Sequence, residues 1–164
     1  MKSLLLLRHA RPSPNSPTGR DFDRTLTDVG REEARRVGQF LRQKEIEPEA
    51  IISSPAARAS ETADLVCEAA GLSPQTRFDA RIYEASLEEL LQIASEAEDG
   101  VETLLLVGHN PGLAELIARL TGESAAMSPA TLAHIELDID AWDKVHHAAG
   151  RLAFVAPPDM SSRH

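Results

Sequence analysis

Short apolar runs alternate along the chain with longer stretches in which apolar residues recur every three or four positions. Leu4, Leu5, Leu6 and Leu7 form a continuous run of the kind a strand buried on both faces requires. Pro12, Pro14, Pro17 and Gly19 follow, so that strand is expected to run out into a loop. Thr27 suits an N-cap, and Ala34, Val37, Phe40 and Leu41 fall on one face of the helix it would start. A second run, Ala50, Ile51 and Ile52, ends at Ser53-Ser54-Pro55, where Ser54 fits a cap and Pro55 the first helical position. The inward face of that helix is expected to carry Thr62, Ala63, Val66, Cys67 and Ala70, with Gly71 as its left-handed C-terminal cap.

The same alternation continues to the end. Residues 76–79 suit a brief strand, and Leu87, Leu90, Leu91 and Ala94 mark a helix entered from Ser86 and closed by Gly100. Residues 103–107 are the clearest strand, turned by Gly108-His109-Asn110-Pro111 into a helix capped by Asn110, with Leu113, Leu116, Ile117 and Leu120 inside. Two further strands are expected at 133–137 and 152–155. The alternation predicts an α/β fold, a three-layer sandwich with a mostly parallel sheet and helices on both faces. One domain over 1–158 is expected, with 159–164 as a frayed tail.

Charge narrows the partners. With 26 acidic against 17 basic side chains the formal net charge is -9, which repels nucleic acid and anionic membrane, so an anionic substrate has to be captured locally. No apolar stretch approaches the roughly 20 residues of a spanning helix, and the four-leucine run is too short for an export signal. The single cysteine, Cys67, allows no internal disulfide and reads as a small core residue; the expected setting is cytoplasmic and the expected state monomeric.

Ligands of open α/β sheets gather outside the carboxyl ends of the strands. Three chemically capable segments fall at such ends. Arg8-His9 follows the first strand, offering a guanidinium for a phosphoryl group beside an imidazole able to attack phosphorus. Arg58 falls in the first turn of the helix after Ser54-Pro55, where free amides also favour an anion and a cation does nothing for its own helix. His109 sits at a strand-to-helix turn, where it could donate to a phosphoryl oxygen. Each alone has a plain alternative: an exposed strand-end pair, a solvated helix charge, a structural histidine.

Together, Leu7-Arg8-His9-Ala10, Ser53-Ser54-Pro55-Ala56-Ala57-Arg58-Ala59-Ser60-Glu61-Thr62-Ala63 and Val107-Gly108-His109-Asn110-Pro111 resemble the histidine phosphatase superfamily in order and context. The segment from Asp23 to Gly30 resembles its short SixA-type branch, known for phosphohistidine phosphatases. The resemblance covers nearly the whole chain and departs at Ala10, where the family usually has glycine. It implies a phosphoglycerate mutase-like fold, a nucleophilic His9, and Arg8, Arg58 and His109 as the phosphoryl-binding set. It also implies an acidic residue before the second histidine. Glu84 in Ile82-Tyr83-Glu84-Ala85-Ser86 is the matching choice, its plain alternative being a charge favoured by the following helix.

No metal and no cofactor is expected, because the two arginines supply the positive charge. The implied partner is a phosphorylated protein, such as a histidine-phosphotransfer domain, or a small phosphorylated molecule. The same residues would also suit a small-molecule phosphomonoesterase or mutase, or a module that only binds phosphate. Asp21-Phe22-Asp23-Arg24-Thr25 matches the Asp-x-Asp-x-Thr signature of Mg²⁺-dependent phosphatases, but that signature must leave a buried strand directly and here follows Pro17-Thr18-Gly19-Arg20. His146-His147 reads as exposed surface and His134 as structural.

Overall fold

The computed structural model describes residues 1–73 and 76–158. Six strands, β1 (Lys2–Arg8), β2 (Ala50–Ser53), β3 (Thr76–Phe78), β4 (Thr103–Gly108), β5 (Leu132–Leu137) and β6 (Gly150–Ala156), form one sheet of order β3-β2-β4-β1-β5-β6. β1 to β4 run parallel, while β5 returns antiparallel beside β1 and β6 beside β5. The helices are α1 (Asp28–Gln43), α2 (Ala57–Ala70), α3 (Leu87–Ser95) and α4 (Gly112–Thr121).

The apolar runs of β1 and β4 serve both faces of the sheet at once. Leu4, Leu6, Leu104 and Leu106 pack with Leu90, Ile93, Leu116 and Ile117 of α3 and α4. Leu5, Leu7, Leu105 and Val107 pack with Val37 and Leu41 of α1 and Ala63 and Val66 of α2. This is the expected three-layer α/β arrangement, and it explains why these strands show no polar alternation. No helix among the described residues is long and apolar enough to cross a membrane.

Several ends follow the sequence. Thr27 caps α1 by accepting from Gly30 N–H at 3.0 Å, Gly71 ends α2 at φ 69°, and Ser86 caps α3 in a reciprocal pair with Glu89. Three ends differ. α2 starts at Ala57, because Ser54 Oγ is spent on Ala56 N–H at 3.2 Å and Ala56 itself stays extended at ψ 140°. Asn110 does not cap α4: its side-chain amide donates to Met127 O at 2.8 Å, and Pro111, after a cis peptide bond, precedes the helix. α3 stops at Ser95, well before Gly100. The proposed tail, 159–164, lies outside the described residues.

Candidate active site

The carboxyl ends of β1, β2 and β4 lie side by side, with Arg8 opposite Gly108 and Ser53 opposite Val107 in register. Arg8-His9, Ser54 to Arg58, and His109 thereby come to one edge of the sheet. His9 N–H donates to Gly108 O at 3.0 Å, and Ala130 N–H is shared between Arg8 O and His9 O at 3.1 Å each. Ala10 N–H donates to Thr62 Oγ1 at 3.0 Å, and that hydroxyl donates to Arg58 O at 2.7 Å. The segment carrying His9 is thus tied to the helix that carries Arg58.

The His9 imidazole is buried, 4% exposed, and its Nδ1 lies 2.8 Å from Ala10 O. A carbonyl can only accept, so Nδ1 carries the hydrogen and Nε2 keeps its lone pair. Burial, reinforced by Arg58, Arg8 and Arg24, pushes the His9 pKa down to about 4, against a smaller upward pull from the Ala10 carbonyl. His109 is pushed to about 3, first by burial and then by His9 and Arg58, with Asp21 pulling the other way. Both rings are neutral at pH 7, with centroids 5.1 Å apart.

Arg58 is 8% exposed, and its guanidinium donates through Nη1 to Asp21 O at 2.9 Å and through Nη2 to Asp21 Oδ2 at 3.0 Å. Asp21 also accepts from Tyr83 OH at 2.7 Å and Arg24 Nη1 at 3.0 Å. The Tyr83 bond foremost, then Arg24 and Arg58, lower its pKa to about 2 against the effect of burial, so it is a carboxylate. Arg8 Nη1 donates to Met127 O at 3.0 Å. Among the described residues, Arg8 Nε, His109 Nδ1 and Asn110 Oδ1 are buried polar atoms with no protein partner at this edge; Ser16 Oγ, Glu33 Oε1 and His134 Nε2 are such atoms elsewhere.

Arg8, His9, Arg58 and His109 thus meet in one place. Glu84 is the outlier, an exposed side chain with φ 58° just after Tyr83, whose ring stands edge-on to His109 at 5.6 Å. Asp21, Ser54, Thr62 and Tyr83 belong to the site although the sequence alone had them as a rejected signature, a helix cap, a core residue and a neighbour of Glu84. Their partners lie 37 to 62 residues away, beyond the reach of any local pattern. Asp21 sits in a 3-10 turn (Asp21–Asp23) rather than at a strand end, in keeping with the rejection of that signature. Among the described residues no group of three or more His, Cys, Asp or Glu side chains is placed to hold a metal ion.

A mostly parallel sheet that gathers the half-buried Arg8, the buried Arg58 and two neutral histidines at one edge has the chemistry to hold a phosphoryl group. The sequence profile of the histidine phosphatase superfamily (branch 1) matches residues 4–100. The chain belongs to this superfamily, in its SixA-type branch. An uncharacterized protein of Mycobacterium tuberculosis is 32% identical over 126 residues, 74% of this chain and 76% of that protein. A phosphohistidine phosphatase SixA homolog of Haemophilus influenzae is 27% identical, over 93% of this chain and 99% of that protein. A crystal structure from Agrobacterium tumefaciens, named for SixA, superposes with a TM-score of 0.81 at 27% identity, over 96% of this chain and 98% of that one.

Proposed function

We propose that this chain is a metal-independent protein phosphohistidine phosphatase of SixA type, acting in the cytoplasm as a monomer. The observation that carries the reading is His9, a buried, neutral imidazole with Nδ1 tied to Ala10 O and Nε2 without a hydrogen bond among the described residues, beside Arg8, Arg58 and His109. Nε2 attacks phosphorus, the bond from phosphorus to the leaving nitrogen or oxygen breaks, and the leaving atom takes a proton. Arg8, Arg58 and His109 hold the phosphoryl oxygens, and Glu84 is the proton donor when the leaving group is an alkoxide. Water then attacks phosphorus, the P–Nε2 bond breaks, and inorganic phosphate leaves. The choice of a histidine-borne phosphoryl group is supported by similarity to proteins named for SixA.

The test is a rapid quench with a phosphorylated histidine-phosphotransfer domain and, separately, p-nitrophenyl phosphate, both in excess EDTA. Acid-labile, base-stable phosphate on His9 is expected, together with turnover that persists in the chelator and both signals absent from His9→Ala. Loss of turnover in EDTA with rescue by Mg²⁺ overturns metal independence. Normal turnover by His9→Ala overturns the nucleophile, and binding without turnover of any substrate makes the chain a phosphate-binding module.

A further inference from the structure

His109 Nε2 lies 2.8 Å from Ser54 Oγ, while Nδ1 of the same ring is buried and has no protein partner among the described residues. Ser54 is itself fully buried. Its oxygen already accepts from Ala56 N–H at 3.2 Å, in the turn that leads into α2. A hydroxyl has one hydrogen to give, and among the described residues His109 Nε2 is the acceptor in reach. We propose that Ser54 is a positioning residue whose hydroxyl donates to His109 Nε2, fixing the ring as the Nδ1–H tautomer and leaving Nδ1–H as a donor to a phosphoryl oxygen.

The opposite arrangement fails twice. If Nε2–H donated to Ser54, the serine hydrogen would have no acceptor in a fully buried position, which costs free energy. Nδ1 would then carry a lone pair beside the place where Arg8, Arg58 and His9 collect a phosphoryl group, and would repel its oxygens. A doubly protonated ring would be a donor at both nitrogens, but burial and the neighbouring arginines hold His109 neutral. A neutral donor of fixed tautomer also adds no further cation beside His9, whose own neutrality the attack requires. The helix-start serine and the catalytic-edge histidine, 55 residues apart, would therefore act as one unit.

What Nδ1–H touches rests on the phosphoryl-transfer reading above; the tautomer does not, and the experiment separates them. In the full chain labelled with ¹⁵N-histidine, the wild-type spectrum at pH 7 is expected to show His109, assigned by its absence from His109→Gln, protonated at Nδ1 and bare at Nε2. Ser54→Ala is expected to shift His109 towards Nε2–H and to lower kcat on p-nitrophenyl phosphate by about 10- to 100-fold. That is less than the roughly 10²- to 10³-fold of deleting a donor outright, and KM should change much less. An Nε2–H ring in the wild type overturns the proposal whatever the variant does. So does a Ser54→Ala protein that loses kcat while its His109 tautomer is unchanged, because the serine is then merely structural. A wild type that shows Nδ1–H yet turns over no phosphate ester or phosphohistidine fails the reaction and leaves the tautomer standing.

Discussion

An imidazole that attacks phosphorus must be unprotonated; at His9, the proposed nucleophile, burial keeps the ring neutral and the bond from Nδ1 to Ala10 O leaves Nε2 as the nitrogen able to attack. Proton delivery is a separate demand, and it depends on what leaves. An alkoxide is strongly basic and needs a proton during bond cleavage, so removing a general acid costs roughly 10²- to 10⁴-fold. Imidazole, with a conjugate-acid pKa of about 6.5, leaves with little help. Glu84, exposed beside Tyr83, is therefore expected to matter by substrate: Glu84→Gln slows alkyl phosphate hydrolysis in that range and leaves phosphohistidine and p-nitrophenyl phosphate nearly unaffected. The ratios of kcat/KM losses in one variant decide it. An equal loss on all three means a binding or folding role, and no loss on any returns Glu84 to a solvated charge before α3.

Elements carry these residues to one edge, and at one junction their packing leaves no slack. A Cβ on Gly30 in α1 would lie 2.3 Å from Arg11 O and 3.0 Å from Arg11 N, both backbone. Thr27 N–H donates to that same Arg11 O at 3.0 Å, so the loop leaving His9 is sewn to the start of α1. Gly30→Ala must push the loop outward, at a cost of about 1–3 kcal/mol typical of overpacking. Because Arg11 is two residues from His9, kcat/KM should fall with it. Gly100→Ala, where a Cβ meets nothing within 4 Å, is the control. Urea midpoints and kcat/KM of the two variants check this; a Gly30→Ala protein as stable and active as the control would show that the loop is not fixed there. The same scale shows what the sequence could and could not reveal. The caps at Thr27 and Ser86 and the left-handed Gly71 were legible because each bond closes within a few residues. So were the strand ends that gather Arg8, His9, Arg58 and His109. The role of Asn110 was not, since its partner is Met127 and competes with the local cap. Asp21 was legible as a motif but not as the partner of Arg58, because only the path of the loop brings it there.

Across the whole molecule, the site is where stability and function draw on the same protons. His9 and His109 ionise near 6.5 in an unfolded chain but are held to about 4 and about 3 in the fold, by burial first in both. Above pH 6.5 both states carry them neutral, and the full native stability is present. As pH falls through 6.5 the unfolded chain takes up protons that the folded one refuses, so stability is lost progressively until the folded values near 4 and 3 are passed. Asp21 belongs to a lower window: its folded pKa of about 2 against a reference of 3.8 means that its contribution is present above 3.8 and lost only as pH falls towards 2. The two windows barely overlap. Urea unfolding between pH 7 and pH 4 should therefore report these two histidines together with His134, whose pKa burial also lowers, and Glu96, lowered by its Arg81 bonds; against that background His109→Gln should flatten the fall in stability by up to one proton, leaving the pH 7 value to report the packing change and the lost Ser54 bond. Curves for wild type and variant that run parallel from pH 7 to 4 would mean that His109 titrates alike in the folded and unfolded chain, and would remove the physical basis for treating it as a neutral donor.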